Sequence, residues 1–152
     1  MELTAARKLF APLPIASVAT VGPDGAPHVV PLWFVWPEDA LYVSVRRPGR
    51  TWANATSEPR VSIAIDVGRS WVEVAGIVVH GRAEPLAPDH PSMRKPMSAW
   101  HEEYRSLLAG DGFARFTEEI HVMGFLRVPP EHVPDLGSRP GVTLVAQSGD
   151  RV

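Results

Sequence analysis

Residues Ile15–Trp36 read IASVATVGPDGAPHVVPLWFVW, two apolar, β-branched runs on either side of Gly22-Pro23-Asp24-Gly25. Ile15–Thr20 reads as a strand, the four-residue cluster supplies turn chemistry, and Pro27–Trp36 reads as a second, strongly apolar strand, so the stretch predicts a β-hairpin. Pro31 interrupts the second strand. Proline cannot donate to a β-ladder, so its place implies an edge, a bulge, or a position where the sheet partner is something other than another strand.

Working outward, Pro37-Glu38-Asp39 turns the chain into Ala40–Val45, where Leu41, Val43 and Val45 face one way and Tyr42, Ser44 and Arg46 the other. This alternation predicts one core face and one polar face. Arg46-Arg47-Pro48-Gly49 reads as a loop and Arg50–Ser57 as a short helix that must end before Pro59. Arg60–Asp66 alternates again. Trp71–Pro85 is long for one strand, and Gly76 and Gly81 within it suggest bulges or bends. A helix is expected over about Pro96–Leu108, with Met97, Trp100, Tyr104, Leu107 and Leu108 on its packing face. Ile120–Val128 reads as the last clear strand, ended by Pro129-Pro130. Residues 135–152 form a Gly- and Ser-rich tail in which only Val142–Ala146 looks structured. Five or six strands between tight turns, with helices inserted late, predict a mainly β protein, an antiparallel barrel with peripheral helices, occupying residues 1–134.

At 152 residues the chain is long enough for one domain burying roughly 68–70% of its unfolded surface. A formal charge of −2 gives no general attraction to nucleic acid or to anionic membranes, so neither is expected as a partner. There is no cysteine, hence no disulfide framework, thiol nucleophile or Cys-ligated metal, and redox chemistry would need a borrowed cofactor. Arg7 and Lys8 before the apolar Leu9–Val21 superficially resemble a signal peptide. Pro12 and Pro14 would break its helical core, so a short helix feeding the first strand is expected, with a cytoplasmic location. No stretch of 18 apolar residues is present to span a membrane.

The side chains argue against chemistry by the protein's own groups. No G-x-S-x-G elbow occurs. The six histidines, at 28, 80, 90, 101, 121 and 132, are too far apart in sequence for a helical or hairpin pair of ligands, and no metal site is expected. Gly110-x-Gly112 lacks the third glycine of a dinucleotide fingerprint. Two features remain. The first is the interrupted strand His28–Trp36, against which a planar ligand would satisfy the open backbone. The second is Arg46-Arg47-Pro48-Gly49-Arg50-Thr51-x-x-Asn54, where three arginines, a hydroxyl and an amide crowd a loop and the first turn of a helix. By residue type this is either a solvated basic loop with Thr51 as a cap or an anion site, since helix N-terminal amides and arginine both suit phosphate. Adjacency to the interrupted strand favours the anion site.

The ordered set Ala19-Thr20, Pro23-Asp24-Gly25, Pro27-x-x-x-Pro31-x-Trp33, Leu41-Tyr42-x-Ser44, Arg50-Thr51-x-x-Asn54 and Pro59-Arg60-Val61-Ser62 resembles the pyridoxamine 5′-phosphate oxidase-like superfamily, and most of all its flavin/deazaflavin oxidoreductase branch. The segment Phe125–Val133 is similar to the family's closing strand. The resemblance implies a six-stranded, Greek-key type, FMN-binding split β-barrel that forms a homodimer with a cofactor in each groove between subunits. It further implies that Val30, Pro31, Leu32 and Trp33 run beside the ring system, that Ser44, Val45 and Arg46 lie near the ribityl chain, and that Arg50, Thr51 and Asn54 take the phosphate end. The family usually has a lysine where this chain has Thr51.

The expected function is therefore an oxidoreductase transferring a hydride between bound FMN or the deazaflavin coenzyme F420 and a small, conjugated or apolar substrate held against Trp33 and Trp36. The protein would contribute position and electrostatics and no catalytic side chain of its own. The alternative is a flavin or haem carrier on the same barrel, without turnover.

Overall fold

The computed structural model describes residues 3–38, 40–67, 75–106, 119–130 and 142–146. Helix α1 (Leu3–Phe10) leads into the expected hairpin, β1 (Ile15–Val21) and β2 (Pro27–Val35), paired in register from Ile15 opposite Trp33 to Val21 opposite Pro27. The turn needs its glycine. Gly25 sits at φ 79°, a left-handed conformation that costs a residue with a Cβ, and its N–H donates to Gly22 O at 2.9 Å while Asp24 Oδ1 accepts from Ala26 N at 3.0 Å.

Next come β3 (Leu41–Arg46), α2 (Arg50–Ser57), β4 (Arg60–Val67), β5 (Ala75–Arg82), β6 (Glu84–Leu86), α3 (Arg94–Tyr104), β7 (Met123–Val128) and β8 (Val142–Ala146). The strands lie in the order β6-β7-β3-β2-β1-β4-β5-β8, all pairs antiparallel. Without the flanking β6 and β8 this leaves the six-stranded order β7-β3-β2-β1-β4-β5, curled into the split barrel expected from the sequence. Closure comes from one turn of chain. β5 pairs with β4, and β6, one residue further on, pairs with β7 at the opposite end of the order. A bridge between Gly81 and Pro130 completes the seam. A Cβ on Gly81 would lie 2.5 Å from Pro129 O and 2.8 Å from Val128 Cγ1, so this close approach requires glycine.

Several expectations are corrected. The segment read as one strand, Trp71–Pro85, is broken at Ala83 into β5 and β6; its residues 71–74 lie outside the described residues. The final strand starts at Met123, because Ile120–Val122 forms a 3-10 turn. The late helix begins at Arg94, and Leu107 and Leu108 lie outside the described residues. Val142–Ala146, expected to be the structured part of the tail, is a strand, β8, paired with β5.

Of the β3 face expected to be polar, Tyr42 and Ser44 are buried and only Arg46 is exposed. Leu41, Val43 and Val45 join Val18, Phe34, Ile63, Ile65, Ile77, Val79, Leu126 and Val128 inside the barrel. Tyr42, on the opposite face, joins Leu86, Phe125, Trp100 and Tyr104 in a second cluster beneath α3. The helix covers this half of the sheet, so its strands are sandwiched between two apolar layers, each buried aliphatic side chain contributing about 1.5–3 kcal/mol. Trp100 and Tyr104, four apart on α3, supply the stripe that holds it there.

Candidate functional site

The site is organised by β2, a strand shared between two halves of the barrel. Its residues Pro27–Trp33 pair with β1, but only Phe34 and Val35 pair with β3. Phe34 N donates to Pro14 O, and Ala26 O accepts from Gly22 N, so even-numbered residues here turn their backbone polar groups toward β1. Odd-numbered residues turn theirs the other way. Trp33 O accordingly accepts from Ser44 Oγ of β3 at 3.2 Å. From Pro27 to Pro31 that second edge meets no described strand, and the missing N–H groups of both prolines fall on it. The open edge presents the carbonyls of Pro27, Val29 and Pro31 with the N–H of Val29 between them. Such a row of acceptors and a donor matches the polar rim of a flat heterocycle.

Next to this edge lies the N-terminus of α2. Its N-cap is Gly49, which has no side chain to offer, so Thr51 is not a cap and the first-turn amides have no capping side chain. Thr51 is buried, with Oγ1 3.3 Å from Nε2 of His28 on β2. A cavity of 290 Å³ opens between the hairpin turn and α2, lined in part by Asp24, His28, Arg50 and Asn54.

The three arginines diverge. Arg46 Nη1 donates to Glu119 Oε2 at 2.9 Å in an exposed ion pair. Arg47 lies over the Trp52 ring, 4.5 Å from its centroid. Of the three, Arg50 alone lines the 290 Å³ cavity. Asn54 and Ser44 are spoken for: Asn54 Nδ2 donates to Thr20 Oγ1 at 3.1 Å in a buried bond that ties α2 to β1, and Ser44 holds Trp33 O. Val45 is buried in the barrel interior, so a ligand would meet only its backbone. Val30 and Leu32 are half-buried on the side of β2 that faces inward with Val18 and Ala16.

The structure does not bring Trp33 and Trp36 together. Trp36 is 4% exposed in the barrel interior. Trp33 packs outside, its ring centroid 5.8 Å from that of Trp100 and 4.7 Å from that of Tyr104. Tyr104 fixes this corner, its hydroxyl shared between the carbonyls of Phe34 and Pro14, and burial pushes its ionisation well above the usual tyrosine range. The residue that sequence reasoning passed over is His28. Its place on the interrupted strand itself was the available signal, whereas its pairing with Thr51 exists only once α2 folds back on β2. Among the described residues no group of three or more His, Asp or Glu side chains could hold a metal.

An open strand edge thus meets a helix N-terminus on an antiparallel split barrel. A family model described as pyridoxamine 5′-phosphate oxidase matches residues 3–133, and the chain belongs to that family. No curated protein matches it. Among solved structures, a FAD-binding protein from Mesorhizobium loti is 23% identical, with 96% of each chain covered and a TM-score of 0.65. HutZ, a heme storage protein from Vibrio cholerae, is 20% identical over 88% of this chain and 93% of its own, with a TM-score of 0.67. An F420 reductase is 21% identical over 82% of this chain and 92% of its own, with a TM-score of 0.62. At these identities the likeness shows the shared fold. No helix among the described residues is long and apolar enough to cross a membrane.

Proposed function

We propose that this protein is a flavin- or deazaflavin-dependent oxidoreductase that works as a homodimer. The observation that carries the reading is the juxtaposition of the open β2 edge with the cavity at the α2 N-terminus. The first suits a planar ring with a polar rim, and the second suits a phosphate. When bound, FMN or coenzyme F420 supplies the hydride chemistry. The chain's own residues bind and orient. The backbone of Val29 and Pro31 meets the ring edge, while Arg50, the first-turn amides of α2 and His28 receive the phosphate, standing in for the lysine that the family usually has at position 51. Asp24 lines the same cavity, but its Oδ1 is engaged by Ala26 N, which limits its repulsion of an anion.

Support for the dimer comes from the outer face of the hairpin. Inward Ala16, Val18 and Thr20 alternate with outward Ile15, Ser17 and Ala19; across the register Pro31 of β2 and Ala64 of β4 flank Ser17, and Val29 of β2 lies opposite Ala19. Ile15 and Val29 are 48% and 59% exposed, an apolar surface that a second copy would cover. The covered face adjoins the open edge, so the partner would complete the cleft. Trp33, backed by Trp100 and Tyr104, offers the aromatic wall for a conjugated or apolar substrate.

Titration of the purified protein with FMN and with F420, followed by absorbance, tests this. Micromolar or tighter binding of one of them is expected, with Arg50→Gln weakening it about tenfold, the share of one charge-assisted contact. Failure of the wild type to bind either sinks the proposal, and uptake of haem alone would replace it with a carrier role.

A further inference from the structure

A second cavity, of 710 Å³, opens where α3 begins and is walled by β3, β6 and β7. It shares no lining residue with the 290 Å³ cavity beside α2. Its lining mixes Arg94, Lys95, Arg127, the hydroxyls of Ser92 and Ser98 and the carboxylate of Glu84, which Arg127 engages, with Pro85, Leu86, Pro91 and the ring of Tyr42. Arg127 is held in place, since Nη1 donates to Glu84 Oε2 at 2.7 Å. Lys95 Nζ donates to Glu38 Oε2 at 2.6 Å in an exposed pair that a better anion can replace. Arg94 makes no ion pair among the described residues. His90, also in the lining, accepts from Ser92 N on Nδ1 at 3.1 Å, which leaves the proton of its neutral ring on Nε2.

We propose that this cavity is a binding site for a small organic phosphate, separate from the cleft at β2. The phosphoryl group sits on Arg94, Lys95 and the two serines, and an apolar or aromatic body lies on Pro85, Leu86 and Tyr42. A phosphate monoester is favoured over a carboxylate by the donor count, because two cationic side chains, two hydroxyls and an imidazole N–H offer more donors than two carboxylate oxygens use well, and three phosphoryl oxygens take them up. A body beyond the phosphate is required by size, because a cavity of this volume is in the range of sites for drug-sized ligands and inorganic phosphate would leave its apolar lining bare.

Phenyl phosphate is the probe, titrated into the ¹⁵N-labelled full-length protein and followed by amide shifts. The expected result is saturable shifts at Ser92, Arg94, Lys95 and Ser98, with affinity reduced about tenfold or more in the double variant Arg94→Gln, Lys95→Gln and unchanged in Arg50→Gln. Both arginines and the lysine are exposed, so the variants keep the fold, which the same spectra verify. Inorganic phosphate is expected to bind more weakly than phenyl phosphate. Shifts confined to residues 49–54, an affinity indifferent to the double variant, or equal affinity for inorganic phosphate would each overturn the assignment.

Discussion

Tyr104→Phe removes one hydroxyl and leaves every ring contact of α3 in place. In the wild type that hydroxyl is shared between Phe34 O, at the bend of β2, and Pro14 O, at the entry to β1, and the residue is 1% exposed. A Phe ring keeps the contacts with Trp33 and Trp100, at 4.7 and 4.9 Å between centroids, so packing is preserved and the change isolates the hydrogen bond. Phe34 O loses its buried donor while the half-buried Pro14 O keeps the Phe34 N–H, so one buried carbonyl is left unsatisfied, which costs about 2 kcal/mol within a usual span of about 1–3. For a domain of this length that is roughly 4–8 °C in Tm, read by calorimetry at neutral pH. The pH dependence gives an independent arm. Burial raises the ionisation of Tyr104, so the folded state holds this proton more tightly than the unfolded chain does. The resulting stability is fully present below the unfolded tyrosine value of about 10 and is lost as pH rises beyond it toward the higher folded value, by at most about 1.4 kcal/mol per pH unit. Tyr104→Phe lacks this component, so the gap between variant and wild type narrows above about pH 10. A Tm within about 1 °C of wild type at pH 7, with parallel curves in alkali, would refute the role of this hydroxyl in anchoring α3.

Gly81→Ala puts a methyl against Pro129 O and Val128 Cγ1 at the barrel seam, and a loss of about 1–3 kcal/mol is expected in urea unfolding, with far-ultraviolet dichroism unchanged. Asn54→Ala breaks the buried bond to Thr20 and leaves that hydroxyl without its donor, so a comparable loss of about 1–3 kcal/mol is expected from the same measurement. Glu58 is hydrogen-bonded by the side chain and backbone of Arg60, which lowers its ionisation to about 2. A depressed carboxyl stabilises the folded state above its unfolded value, so this contribution fades as pH falls from about 4.5 toward about 2. In an acid titration of Tm, Glu58→Gln is expected to flatten the curve in that window; an unchanged slope would contradict it.

The hairpin was legible because its signals are local. Turn residues Gly22–Gly25 and the alternation of Ile15–Val21 act over a few positions, and Pro31 announced in the sequence an edge that the structure places on the unpaired side of β2. The helix at Arg50–Ser57 was legible for the same reason, bounded by Gly49 and Pro59. The second face of β3 was not, because Tyr42 reads as polar until α3, some fifty residues later, packs with it in one apolar cluster, and Ser44 until it bonds Trp33 O of β2. Within the candidate site, residue types could gather three arginines into one anion-binding loop, yet they could not say where each side chain turns. Arg46 is drawn to Glu119 and Arg47 to Trp52, partners set by chain packing.

What the sequence determined by itself is thus the antiparallel barrel, its interrupted strand and a cationic loop beside it, all carried by proline, glycine and hydrophobic period. Only the tertiary structure decided that Arg50 is the arginine facing the cavity, that His28 meets Thr51, and that Trp33 and Trp36 point into different cores. Those outcomes depend on contacts between residues far apart in the chain, such as Tyr104 with Phe34, and on side chains whose direction is fixed by what packs against them.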